Sequence, residues 1–121
     1  MKPFAAKPLP TQYQGFIFTR TCSRWLPDKG RRETWTEAVS RYAKFFMDRL
    51  PNRIGVIYEC TQAVRAVLSL DVMPSMRALW AAGPALEREN VSAYNCPYTV
   101  IDSPTAMAKT LYILMCSTGV G

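Results

Sequence analysis

Cys22, Cys60, Cys96 and Cys116 are the residues of this sequence best suited to chemistry, and they must act without histidine, of which the 121 residues hold none. The cysteines lie far apart and form no Cys-x-x-Cys, so a zinc site would need thiolates converging from distant segments. The missing imidazole removes any Ser-His or Cys-His nucleophilic pair. A second feature stands at residues 111–121, "LYILMCSTGVG", where an apolar helical run meets a Gly-x-Gly turn. Such a turn can begin a phosphate cradle, a close approach of backbone to ligand, or entry into a strand. It can also be an ordinary helix end of the Schellman type.

The elements that must position these groups are legible in outline. At 49% apolar and 20% charged residues the composition is that of a globular domain. There is no apolar run of the ~18 residues a membrane helix needs, and the first residues show no apolar signal-peptide core, so the cytoplasm is the expected location. Fifteen Lys and Arg against nine Asp and Glu leave a formal charge of +6. The arginines are scattered rather than run together, which reads as a solvated surface or a face for an acidic partner rather than a nucleic-acid site.

Residues 1–12 read as a proline-rich extended arm, and "YQGFIFTRTCSRW" (13–25), aromatic and β-branched, as a short strand followed by the turn "LPDKGRRE". Thr34 or Thr36 then caps a helix, with Glu37 at capping-box spacing from Thr34. Its apolar face is Trp35, Ala38, Val39, Tyr42, Phe45, Phe46 and Leu50, and Pro51 ends it. Residues 54–70 form a second helical stretch. The segment from Asp71 to Tyr98, punctuated by Pro74, Gly83 and Pro84, reads as loop-rich. Asp102 or Ser103 is expected to cap a last helix with Pro104 in its first turn, running to about Cys116. The fold class is thus mainly α with a short N-terminal strand, and no self-contained active site is visible.

Three stretches together resemble the N-terminal region of the monomeric adenosylcobalamin-dependent (class II) ribonucleotide reductases. They are "FIFTRTCSRWLPDKGRRETWTEAVSRY", "MPSMRALWAAGPALERENVSAYNCPY" and "LMCSTGVG", in the family's order and spacing. The resemblance implies a mostly helical region over residues 1–90 and, over 91–121, the start of a ten-stranded α/β barrel that a missing C-terminal reductase chain completes. It implies a fragment inactive alone, without the extra N-terminal nucleotide-binding cone of other reductases. A small basic interaction or nucleic-acid-binding module with a reductase-derived fold is the alternative reading.

The resemblance also assigns roles. Cys96 matches one half of the reducing dithiol, whose partner and the radical cysteine belong to the missing chain. Asn95 and Gly119 match residues facing the substrate ribose and nucleotide. Ser75 falls where Pro-Ser segments contact substrate, although Met73 replaces a threonine common before that proline. Asp102 lies near an effector-binding acidic position, Gly121 would serve the turn, and Ser117 and Thr118 would offer hydroxyls. Cys22, Cys60 and Cys116 read as packing residues. The implied cofactor is adenosylcobalamin, bound mainly by the missing part, with no metal site in this chain. The implied partners are a ribonucleotide, with triphosphate suggested by the monomeric relatives, and a thioredoxin-like reductant, with neither membrane nor nucleic acid.

Overall fold

The computed structural model describes residues 9–95, 97–116 and 118–120. Among them are six α-helices and one small, largely exposed hairpin: α1 (Gln12–Thr21), β1 (Trp25–Leu26), β2 (Arg31–Arg32), α2 (Trp35–Met47), α3 (Ile54–Ser69), α4 (Met76–Ala81), α5 (Pro84–Arg88) and α6 (Ala106–Met115). A 3-10 turn, Asn90–Ala93, follows α5, and another, Pro27–Lys29, joins the strands. None of the described helices is long and apolar enough to cross a membrane.

The segment expected to be a strand at 13–25 is instead α1. Its β-branched and aromatic residues favour a strand locally, but a capping box overrides them: the Gln14 amide donates to Thr11 Oγ1 (3.2 Å) and the Thr11 amide to Gln14 Oε1 (3.1 Å). Helical spacing then buries Phe18, whose ring meets Trp35 edge-on at 5.5 Å. Strand structure begins only after the helix, where Trp25 pairs with Arg32 and Leu26 with Arg31 in an antiparallel ladder. The turn between them, Pro27–Lys29, closes on Gly30 at φ 59°, a left-handed conformation that glycine adopts without strain.

Helix α2 begins as its sequence predicts. The Glu37 amide donates to Thr34 Oγ1, and the Thr34 amide donates back to the Glu37 carboxylate at 2.9 Å. Its buried face, Trp35, Ala38, Val39 and Ala43, packs with Val64 and Val67 of α3, Phe18 of α1 and Leu79 of α4. Burying each large side chain of this set is worth roughly 1.5–3 kcal/mol. The expected apolar stripe is not buried to its end: α2 stops at Met47, so Leu50 lies beyond it and stays exposed, as Phe46 does.

The loop-rich reading of 71–98 needs correction. Ser75 caps α4, Gly83 separates the two short helices at φ 109°, and Pro84 occupies the first turn of α5. Proline and glycine here delimit helices rather than prevent them. The cap expected from Asp102 or Ser103 is also displaced. Ser103 bonds instead to the Thr105 hydroxyl (3.1 Å) and accepts the Ala106 amide on its carbonyl (3.0 Å), making a turn ahead of α6, and Thr105 stands at the N-cap without a side-chain cap bond. Most of the arm expected over 1–12 lies outside the described residues.

The α2 cap has a pH signature. Hydrogen bonds from Arg31, from Lys29 and from the Thr34 amide hold the Glu37 carboxyl well below the usual range. A carboxylate whose folded pKa is depressed stabilises the fold fully above the unfolded value of about 4.3, and that contribution is lost as pH falls below it. The urea midpoint of the wild-type chain is expected to drop between about pH 5 and pH 2.5, and Glu37→Gln to drop less over the same window. Parallel pH dependences for the two would show that Glu37 does not carry the effect.

Candidate functional site

The elements carrying the candidate residues are anchored by a buried ion pair. Glu33, which follows β2, is 7% exposed. Its two oxygens accept from Arg41 Nε (2.8 Å) and Nη2 (2.9 Å), and its Oε2 also accepts the Arg24 amide (3.2 Å). Arg41 Nη1 reaches on to the carbonyls of Leu79 (3.0 Å) and Ala82 (2.7 Å), while Arg24 donates Nε and Nη2 to the carbonyl of Trp80 (2.9 and 2.6 Å). Those carbonyls end α4 and have no intrahelical partners. Two guanidinium groups therefore cap the helix from outside, and the cation end complements its dipole. Burial, and after it the charge of Arg41, lowers the Arg24 pKa, and Glu33 opposes that shift.

Gly83 completes the arrangement. A Cβ there would stand 3.3 Å from Arg24 Nη1, in a backbone conformation that other residues rarely adopt. Arg24, Glu33 and Arg41 were not singled out from the sequence, where they read as scattered surface charges. Nothing in their spacing marks an ion pair formed across β2 and α2; Gly83 beside Pro84 was the only local signal of a tight junction.

With α4 fixed in this way, Ser75 stands at its N-cap, exposed, its hydroxyl accepting the Ala78 amide at 3.5 Å. Beyond α5, Glu89 Oε1 accepts the Val91 amide (3.4 Å) and shapes the 3-10 turn that leads to Asn95. The other carboxylate oxygen of Glu89 accepts the Tyr112 hydroxyl of α6 at 3.3 Å. Cys116 and then Glu89 raise the pKa of that phenol. The end of α6 is tied to the same turn, because Thr118 Oγ1 donates to the Val91 carbonyl at 2.6 Å.

Two segments far apart in the chain thus meet: the one running into Asn95 and the one running into Gly119. Asn95 is exposed and Gly119 half-buried. Thr118 is 1% exposed with its hydroxyl engaged on backbone, so the expected role as a ligand hydroxyl does not hold. Cys96, Ser117 and Gly121 lie outside the described residues. Asp102 is exposed ahead of α6, and among the described residues no hydrogen bond or ion pair joins Ser75 or Asp102 to Asn95 or Gly119. Glu89, the residue that links the turn to α6, was missed for want of any local pattern. Cys22 is buried under α1 and α2, and Cys60 and Cys116 are half-buried.

The described residues form no cluster of three or more metal-ligating side chains. Their depressions are open and largely apolar: one of about 250 Å³ lies between α1 and the residues before α4, lined by Tyr13, Phe18, Trp35, Leu70, Met73 and Met76. None is a cradle for a cofactor with many polar substituents.

The described residues form a mainly helical unit with one small hairpin, and comparison with known proteins gives the family. The family model described as the ribonucleotide reductase alpha domain matches residues 3–84, and the chain belongs to that family. It is similar to the adenosylcobalamin-dependent ribonucleoside-triphosphate reductase of Lactobacillus helveticus, 31% identical over 104 residues, covering 74% of this chain and 13% of the relative. The reductase of the same name from Lactobacillus gasseri is 36% identical over 87 residues, covering 64% and 12%. That of Levilactobacillus brevis is 29% identical over 99 residues, covering 74% and 13%. The chain therefore spans about one-eighth of the length of the relatives it matches. No solved structure matches it.

Replacing Arg41 by Leu would leave the Glu33 carboxylate buried without its main partner and Leu79 and Ala82 carbonyls uncapped. Breaking a buried pair from one side costs about 3–5 kcal/mol. Urea unfolding followed by circular dichroism is expected to show a loss of that size. A loss under about 1 kcal/mol would place the pair among solvent-exposed bridges.

Proposed function

We propose that this chain is the N-terminal component of an adenosylcobalamin-dependent ribonucleotide reductase, inactive alone and completed by a companion polypeptide that carries the rest of the barrel. The observation carrying this reading is the family match over residues 3–84, joined to relatives that are all reductases of this one type. The reaction converts a ribonucleotide, here a triphosphate, to its 2′-deoxy form in the cytoplasm.

In this reading Cys96 supplies one thiol of the reducing pair and the companion supplies the other. Two thiols become a disulfide, their two electrons and two protons replace the 2′-hydroxyl by hydrogen, and that hydroxyl leaves as water. A thioredoxin-like dithiol then resets the disulfide by exchange. Asn95 would meet the ribose, the backbone at Gly119 would lie against the nucleotide where a Cβ would intrude, and Ser75 would contact substrate. Asp102 would sit toward the effector nucleotide. The bond from Thr118 to the Val91 carbonyl supports this arrangement, since it holds the approach to Asn95 against the approach to Gly119.

Adenosylcobalamin, when bound, supplies the radical that starts the reaction. Among the described residues the depressions are open and largely apolar and offer few polar groups to so polar a cofactor. The companion would provide the main part of its binding site.

Purified alone, with cofactor, dithiol and ribonucleoside triphosphate, the chain is expected to make no deoxynucleotide. In the assembled enzyme Cys96→Ser is expected to abolish multiple turnover with thioredoxin, whereas Cys116→Ser retains it. Loss of turnover in Cys116→Ser with retention in Cys96→Ser would reassign the redox thiol. Activity of the isolated chain would reject the companion.

A further inference from the structure

A closed ring of hydrogen bonds joins the turn after α5 to the end of α6. The Val91 amide donates to Glu89 Oε1 (3.4 Å), and the Tyr112 hydroxyl donates to Glu89 Oε2 (3.3 Å). Beside Tyr112, the Ile113 carbonyl accepts the Thr118 amide (3.3 Å), and Thr118 Oγ1 returns to the Val91 carbonyl (2.6 Å). That carbonyl also accepts the Tyr94 amide (3.0 Å). Asn95 follows Tyr94 directly and Gly119 follows Thr118 directly, so both adjoin residues that the ring holds. An ionised carboxylate only accepts hydrogen bonds and has two oxygens to do so, which lets one side chain hold two donors at a fixed separation. Neither Glu89 nor Tyr112 belongs to a buried apolar cluster, and the ion pairs among the described residues use Glu33, Glu37, Asp48 and Glu87 instead.

We infer that Glu89, acting through Tyr112, is a positioning residue for the proposed substrate site: it sets the separation of the Asn95 and Gly119 segments and thereby the fit of the nucleotide between them. The inference rests on the function proposed above, in which Asn95 meets the ribose and the backbone at Gly119 the nucleotide. Groups that reach one ligand from two segments keep their affinity only while supporting side chains hold them in register. Glu89 is suited to that task because its two oxygens serve the two segments separately, one the turn and the other α6.

The test uses the full chain, and the enzyme assembled from it and its companion, carrying Tyr112→Phe, Glu89→Ala or Glu89→Gln. Glutamine preserves the ring, because its oxygen can accept the Val91 amide while its nitrogen donates to the Tyr112 oxygen. In the full chain, hydrogen exchange of the Tyr94 and Thr118 amides is expected to speed up about fivefold or more in Tyr112→Phe and Glu89→Ala, as for one lost hydrogen bond, and less than about twofold in Glu89→Gln. Exchange of the Val39 and Leu79 amides in the core is expected to stay as in the wild type. In the assembled enzyme, Tyr112→Phe and Glu89→Ala are expected to raise the KM for ribonucleoside triphosphate about fivefold or more, with the KM for adenosylcobalamin changed less than about twofold, a split that general loosening of the fold does not produce. The double variant is expected to be no worse than Glu89→Ala alone, since both substitutions open one ring. Faster exchange without a change in nucleotide KM would make the ring structural only, and Glu89→Gln as impaired as Glu89→Ala would show that bridging is not what Glu89 does. Either result, or unchanged exchange in every variant, overturns the inference and leaves the proposed function standing. A wild-type assembly that makes no deoxynucleotide rejects the proposed function, and the inference with it.

Discussion

The carboxylate of Glu33, held in a fork by Arg41, is the contact on which the rest of this chain depends. A charge with so little solvent contact is tolerable only when paired and hydrogen-bonded, and here every polar atom of the pair has a use. Arg41 holds Glu33 with two nitrogens and α4 with the third, and Arg24 takes the Trp80 carbonyl at the same helix end. Among the described residues no buried side-chain nitrogen or oxygen is left without a partner. The hairpin, the long helix α2 and the short helix α4 are thereby fixed in one geometry by a few groups whose fork shape leaves little freedom.

From that anchor the candidate site is reached by short links. Helix α4 carries Ser75 at one end and the arginine-capped carbonyls at the other; after it come α5, the Glu89 carboxylate and the turn before Asn95. Glu89 and Val91 then hold α6 and the chain leading to Gly119. The polar bonds here are few and join segments 23 and 27 positions apart, whereas the apolar support of α6 is one-sided. The buried core accordingly lies in the part built from α1 to α5, and α6 contributes only Ala106 to the buried residues.

Local sequence rules succeeded where two or more signals agreed. Thr34 with Glu37, followed by an apolar stripe and a proline, defined α2 because cap, periodicity and stop all pointed to one helix. They failed at residues 13–21, where β-branched and aromatic residues argued for a strand while Thr11 and Gln14 supplied a helix start. Propensity is a weak prior, and a cap plus burial of Phe18 against Trp35 outweighs it. The stretch 71–98 failed for the opposite reason. Its prolines and glycine are boundaries of helices only five and six residues long, too short for periodicity to register.

What the amino-acid order determined by itself was family membership, a mainly helical fold and the position of the best-capped helix, because these follow from motifs and from neighbours a few residues apart. The tertiary structure alone decided that Glu33, Arg24 and Arg41 are a buried network rather than surface charges, since the nearest carbonyls they hold are 38 to 56 positions away. It alone decided that Thr118 faces the backbone of Val91, 27 positions earlier, and that α6 keeps one apolar face uncovered. Contacts at such separations depend on how the chain closes on itself, and no local pattern of residue types encodes that closure.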